Sequence, residues 1–173
     1  MNPGPALTVN GRTYSIPPTP IVGICLDGCE PAYLDEAAHL MPQLQAMIAA
    51  GTRGEAHSVV PSFTNPNNVA IVTGVPPDVN GIPGNYYYDP EADEEVLMQD
   101  PRWLRCSTLL AGFAEAGLDV AAVTTKDKLR AFLSEGLPPS SIRFSVEKAH
   151  EVTLEVNGIA SVTDLVGRDN PGI

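Results

Sequence analysis

The run Ile21-Val22-Gly23-Ile24-Cys25-Leu26, closed by Asp27-Gly28, constrains this chain more than any other stretch. An apolar run of strand length has no polar face to offer water, so it belongs in a sheet covered on both sides. Such sheets are parallel and wrapped by helices. The segments that follow keep the same grammar. Over residues 31–50, Leu34, Ala37, Ala38, Leu40, Met41, Leu44, Met47 and Ile48 recur at helical spacing, with Pro42 dividing two helices and Gly51 ending the second. Residues 55–60 read as a second strand, 61–65 as a turn, and 66–72 as a helix with Pro66 at its start and Gly74 past its end. A structured, turn-rich loop at 75–90 runs into a short strand. Residues 107–116 then predict an amphipathic helix stopped by Gly117, residues 119–124 another buried strand, and a short helix follows Lys126 to about Leu133. Alternating strands and helices predict an α/β sandwich around a mostly parallel sheet, with ligand chemistry at the C-terminal ends of the strands. Asp27 and Thr64 both fall just past such ends.

A chain of 173 residues, 43% of them hydrophobic, has the size and composition of one packed domain. Residues 1–19 read as a lead-in arm with one edge hairpin, and residues 20–173 as the α/β portion. The formal net charge of −11 disfavours nucleic acid and anionic lipid as partners, because both demand clustered Lys and Arg. It also means that a site for a small anion must gather positive charge locally. No apolar stretch is long enough to span a bilayer, and the first residues lack the pattern of a secretory signal, so the expected address is cytoplasmic. Cys25, Cys29 and Cys106 make an odd count that does not suit a disulfide framework, and Cys25 reads as a buried strand thiol. The Cys25-x3-Cys29 pair has no second pair at zinc-finger spacing. Glu91, Asp93, Glu94 and Glu95 lack calcium-loop spacing and read as a solvated turn.

Two positions draw attention as chemistry. An ionised Asp27 at the end of a buried strand needs a cation or hydrogen bonds to compensate it. A hard divalent metal would serve, and so would a plain turn or a helix-capping role. Thr64 precedes Asn65-Pro66-Asn67-Asn68 at a helix start, where free amide groups favour an alkoxide or a phosphoryl group. A capping threonine fits the same place. The residues alone leave both pairs of readings open.

Three ordered motifs add to them: Leu26-Asp27-Gly28 after the apolar strand, Pro61-Ser62-Phe63-Thr64-Asn65-Pro66 about the helix start, and Asn80-Gly81-Ile82-Pro83-Gly84-Asn85-Tyr86-Tyr87-Tyr88-Asp89. Together they resemble the nucleotide pyrophosphatase branch of the alkaline phosphatase superfamily. Within that branch the third motif, the block Thr124-Thr125-Lys126-Asp127-Lys128-Leu129-Arg130, and Phe144-Ser145-Val146-Glu147-Lys148-Ala149 followed by Asn157-Gly158-Ile159 are similar to the phosphonoacetate hydrolases. The resemblance covers essentially the whole chain. It implies an alkaline-phosphatase-like α/β/α sandwich, present here as an incomplete, N-terminal part. It implies that Asp27 ligates one of two zinc ions and that Thr64, bound to the same ion, is the nucleophile that attacks phosphorus. Asn85 would donate its amide to a phosphonyl oxygen beside the Thr64 backbone amide. Lys126 and Lys128 would hold the substrate carboxylate, with Lys148 a weaker candidate of the same kind. The reaction so implied cleaves the C–P bond of phosphonoacetate to acetate and phosphate through a phosphothreonine, with a small-molecule phosphonate as partner and homodimerisation of full-length members left open.

The chain departs from the family in length, which is less than half that of its members, and in the remaining zinc ligands, an Asp-x3-His, an Asp-His pair and a late His. His39 on a helix, His57 on a strand and His150 near a charged segment do not fit those motifs. The expectation is that these 173 residues alone have little or no hydrolase activity and expose apolar surface or a sheet edge that favours aggregation. A phosphodiesterase or nucleotide pyrophosphatase of the same superfamily, and a non-catalytic anion-binding fragment, are the alternatives.

Overall fold

Asn10-Gly11 is a strong short-range turn signal, because both residues of a two-residue hairpin loop need positive φ. They adopt φ of 50° and 75° and join β1 (Ala6–Val9) to β2 (Arg12–Ser15), antiparallel with Ala6 opposite Ser15 and Val9 opposite Arg12. This is the hairpin expected in the arm. The computed structural model describes residues 5–167, and they fall into two units, Pro17–Ser58 and the pairing of Met1–Ile16 with Val59–Ile173.

The unit Pro17–Ser58 contains α1 (Pro31–Glu36), a single 3₁₀ turn (Ala38–Leu40) and α2 (Pro42–Ala50), with Gly51 at the C-cap. Pro42 starts the second helix, where its missing N–H costs nothing. An ion pair of 2.6 Å between Arg53 and Asp35 ties the end of the unit back to α1. The expected strands do not form. Residues 21–26 adopt no regular secondary structure and join no strand ladder among the described residues, with Ile21, Val22 and Ile24 at 75%, 80% and 79% exposure. Cys25 is exposed rather than buried. Residues 55–60 are likewise irregular, which puts His57 on exposed chain rather than on a strand. A strand exists through the ladders on its flanks. An apolar run reports that its residues suit a two-sided sheet, and nothing about whether neighbours are there to pair with it.

In the larger unit, α3 (Thr64–Thr73) ends at Gly74, and α4 (Pro77–Asn80) ends at Gly81. Both glycines are left-handed at φ 69° and 87°, the usual helix stop. Two antiparallel strands follow, β3 (Tyr86–Asp89) and β4 (Glu94–Leu97), with Tyr86 opposite Leu97. The acidic residues at 91–95 lie in the exposed tip and on β4, and Tyr88 donates its hydroxyl to Asp93. Tyr87 points the other way, edge-on to Trp103 with ring centroids 5.1 Å apart.

The helix expected over 107–116 is α5 (Leu109–Glu115), capped by Thr108, whose hydroxyl accepts from the Ala111 amide at 3.0 Å. Gly112 on this helix admits the arm, since a Cβ there would lie 2.6 Å from Val9 Cγ2. Asn10 fastens the same arm by donating to the Thr73 and Ser107 carbonyls at 2.8 and 2.7 Å.

β5 (Ala121–Thr124), α6 (Asp127–Leu133) and β6 (Ile142–Ser145) form a strand–helix–strand unit with the two strands parallel. On β5, Ala122 and Thr124 are buried while Ala121 and Val123 are exposed, so this strand is covered on one face and not on both as expected. α7 (Leu154–Asn157) and α8 (Val162–Val166) follow, and the tail from 168 onward lies outside the described residues.

Val69, Ile82, Met98 and Phe132 form the main core, joined by Tyr87, Trp103, Leu104 and Leu133. Phe144, Ala149 and Val162 form a second cluster. No helix of the described residues is long and apolar enough to cross a membrane.

Candidate active site

Thr64 is the first residue of α3 and half-buried, with Phe63 at the N-cap position. Thr64 is therefore not the capping residue of this helix, which removes one of the two readings its sequence allowed. The asparagines around it build the turn. Asn67 accepts from the Val59 amide at 3.0 Å and donates to the Phe63 carbonyl at 2.8 Å. Asn68 donates to the Thr64 carbonyl at 3.0 Å.

Asn65 is fully buried and closes a ring with two distant segments. Its backbone N–H donates to Asn85 Oδ1 at 2.9 Å, and its side-chain Nδ2 donates to the Met98 carbonyl at 2.6 Å. The Met98 amide in turn donates to the Asn85 carbonyl at 2.8 Å. The ring fixes the orientation of the Asn85 amide. Because its oxygen is consumed by the Asn65 N–H, its NH₂ group remains as the donor for an anionic ligand, the use that oxyanion-type stabilisation makes of an amide.

Lys126 and Lys128 stand beyond the C-terminal end of β5, where a parallel α/β unit opens its crevice. They line a cleft of about 680 Å³ with Gln99, Asp100, Asp127, Ala131, Glu147 and Lys148. Its charge is unevenly satisfied. Asp100 pairs with Arg102 at 3.3 Å, and Glu147 accepts the Asp127 amide at 2.7 Å. Asp127 accepts from Arg130 Nε at 2.6 Å and from Ser145 Oγ at 2.9 Å. Lys148 lies 3.6 Å from Glu151. Among the described residues Lys126 and Lys128 make no side-chain hydrogen bond or ion pair, and with Asp100 and Asp127 each paired to an arginine these two ammonium groups outweigh the charge of Glu147, which is hydrogen-bonded to a neutral amide. That is the local concentration of cations which an acidic chain needs if it is to hold a small anion.

The Arg130 hydrogen bond holds the Asp127 carboxyl below the ordinary carboxylate value, against the opposing effect of burial, with help from Ser145 and from the charges of Arg130 and Lys148. A depressed value means that the folded state prefers the ionised form. The stabilisation is complete above the unfolded carboxylate pKa and is lost as pH falls through the lower folded one. The Asp127 carboxyl resonance should accordingly titrate at lower pH in the folded chain than in urea; coincident titrations would show that the contact is not kept in solution.

Thr64 and Asn85 are thus brought together through Asn65, and Lys126 and Lys128 share the cleft. Thr64 and Asn85 do not line that cleft, but the chain connects the two places: Met98 belongs to the ring, and the next two residues, Gln99 and Asp100, are cleft wall. Asp27 lies in an exposed turn before Gly28, in the unit Pro17–Ser58. Sequence reasoning did not single out Asn65, Met98 or Glu147 for these ties. Nothing local signals them, since each depends on a partner 20 or more residues away; the Asn65–Met98 and Asp127–Glu147 separations are 33 and 20.

His39 sits in the 3₁₀ turn, and His150 lies 3.5 Å from Glu151. Among the described residues no group of three or more His, Cys, Asp or Glu side chains could hold a metal ion.

Residues 21–166 match the family model described as type I phosphodiesterase / nucleotide pyrophosphatase. A solved phosphonoacetate hydrolase from Sinorhizobium meliloti 1021, in complex with phosphonoformate, is 50% identical and superposes with a TM-score of 0.91 over 97% of this chain and 42% of its own. The same hydrolase in complex with phosphonoacetate gives 49% identity and the same TM-score and coverage. Human ectonucleotide pyrophosphatase/phosphodiesterase family member 1 is 31% identical over 98 residues, 53% of this chain and 10% of that protein. The chain therefore spans less than half the length of the relatives it matches.

Proposed function

Because the chain belongs to the type I phosphodiesterase / nucleotide pyrophosphatase family, we propose that it forms part of a hydrolase that cleaves the C–P bond of phosphonoacetate to acetate and phosphate. Its fold is the matched part of an alkaline-phosphatase-like α/β/α sandwich. The observation that carries the proposal is the cleft in which every carboxylate is already engaged while Lys126 and Lys128 are not. Phosphonoacetate differs from a phosphate ester in carrying a carboxylate, and two uncommitted ammonium groups are the chemistry that would recognise it.

In this reading the Thr64 oxygen attacks phosphorus and the C–P bond breaks, its electron pair passing to the acetate carbon. The adjacent carboxylate delocalises that pair as an enolate, protonation gives acetate, and water hydrolyses the phosphothreonine. Carbon is otherwise a poor leaving group, so holding the carboxylate bears on both recognition and departure. The Asn85 NH₂ group and the Thr64 backbone amide meet the phosphonyl oxygens. The family resemblance brings two zinc ions, with Asp27 and Thr64 on one of them. Two oxygens are fewer than the three or four protein ligands a zinc site takes, and no larger group gathers among the described residues. The described residues do not compose such a site by themselves, and Asp27 and Thr64 are proposed as contributors to it. The partner is a small phosphonate; a net charge of −11 supports no role for nucleic acid or an anionic membrane surface.

The test is selectivity. Replacing both Lys126 and Lys128 with alanine should weaken phosphonoacetate binding by about a hundredfold or more, two charge-assisted hydrogen bonds being lost, while leaving a simple aryl phosphodiester within about threefold. Titration calorimetry reads both. Equal losses for the two ligands would replace this reading by a phosphodiesterase of the same family, the activity named for the human relative.

A further inference from the structure

We propose that Glu147 is a positioning residue that sets the lysine pair for its anion, an inference that rests on Lys126 and Lys128 being the carboxylate-binding groups. The carbonyl of Lys126 and the amide of Asp127 belong to one peptide group, which is planar and turns as a unit. Thr124 Oγ1 donates to that carbonyl at 2.9 Å, and Glu147 Oε2 accepts from that amide at 2.7 Å. The group is thereby held at both ends, by a side chain from β5 and by one from the segment after β6. Lys126 lies on one side of it, and Lys128 follows in the first turn of α6.

The two anchors are themselves fixed. Thr124 is buried on β5, and the ladder between the parallel strands continues past their ends, with the Val146 amide on the Thr124 carbonyl at 2.8 Å and the Glu147 amide on the Thr125 carbonyl at 3.1 Å. Glu147 therefore transmits the register of the parallel pair to the loop that carries the lysines. Its charge works against an anion in the same cleft, and a neutral amide oxygen would still accept the Asp127 N–H while removing that charge. The hydrogen bond and the charge thus act in opposite directions on anion binding, which allows them to be separated.

Calorimetric titration of the 173-residue chain with phosphonoacetate separates them. Glu147→Ala should bind about tenfold more weakly, the loss expected with one charge-assisted hydrogen bond, whereas Glu147→Gln should bind as tightly as the unchanged chain or tighter. The Asp127 amide should exchange faster with solvent in Glu147→Ala and not in Glu147→Gln. If Glu147→Ala fails to fold, Thr124→Val frees the other end of the same peptide group and should show the same loss. Binding by Glu147→Ala equal to that of the unchanged chain, alongside a loss in the Lys126→Ala/Lys128→Ala double variant, overturns the positioning role and leaves the lysine assignment standing. Equal weakening in Glu147→Ala and Glu147→Gln overturns it too, since charge alone would then matter. Unchanged binding by the double lysine variant, or none by the unchanged chain, overturns both.

Discussion

Phe132→Ala should lower the stability of the larger unit by about 3–5 kcal/mol, the usual cost of emptying a buried aromatic site. It should also loosen both halves of the candidate site together. Phe132 is 0% exposed and packs with Val69, Ile82 and Met98, with Tyr87 and Trp103 against the same cluster. These contacts join the elements that carry chemistry. Val69 lies on α3, which begins at Thr64; Phe132 lies on α6, which follows Lys126; and the Met98 carbonyl holds Asn65. Domains of ordinary size are stable by only about 5–15 kcal/mol, so the alanine variant should lose a large share of its reserve. Urea unfolding followed by tryptophan fluorescence measures it, since Trp103 borders the cluster. Phe132→Leu should cost less than about half as much, because it keeps most of the volume. An unchanged midpoint for the alanine variant would mean that this cluster does not hold the unit together in solution.

The parts legible in the sequence are those whose cause is local. Asn10-Gly11 made a hairpin because the turn needs two left-handed residues, and α2, α3 and α5 start and stop close to their prolines, glycines and caps. The helix after Lys126 ends at Leu133 as its pattern suggests. What local pattern could not supply was pairing. Residues 21–26 have the composition of a central strand, yet they are exposed and unpaired among the described residues, and β5 is covered on one face where its residues read as two-sided. Hydropathy describes the environment a segment suits, while a ladder depends on another segment being in register beside it.

The same division runs through the site. Asp27, Thr64, Asn85, Lys126 and Lys128 were singled out by motifs read along the chain. The ties among their neighbours were not visible there: the ring of Asn65, Asn85 and Met98, and the peptide group held between Thr124 and Glu147. Asparagine and glutamate are ordinary surface residues by composition, and only partners distant in sequence distinguish Asn65 and Glu147. Asn65 Oδ1 is also buried without a hydrogen-bond partner among the described residues. The ring therefore uses only the donor half of that side chain, on the residue that follows the proposed nucleophile in sequence.

Acetate release from phosphonoacetate by the 173-residue chain with added zinc should stay at the level of its Thr64→Ala variant. A threonine hydroxyl is a weak nucleophile until a base or a metal lowers its pKa, and catalytic zinc sites commonly take three protein ligands and leave one position for water or substrate. Asp27 and Thr64 offer two oxygens, and among the described residues no cluster of three or more potential ligands adds to them. The contrast is large, because enzymes of ordinary proficiency exceed the uncatalysed rate by about a millionfold or more. Binding and turnover are expected to part company: phosphonoacetate should still bind through Lys126 and Lys128 in both proteins, since neither lysine depends on the Thr64 hydroxyl. Robust acetate release that disappears in Thr64→Ala would show instead that these residues complete a working site by themselves. Release that persists unchanged in Thr64→Ala would remove Thr64 from the nucleophile's role.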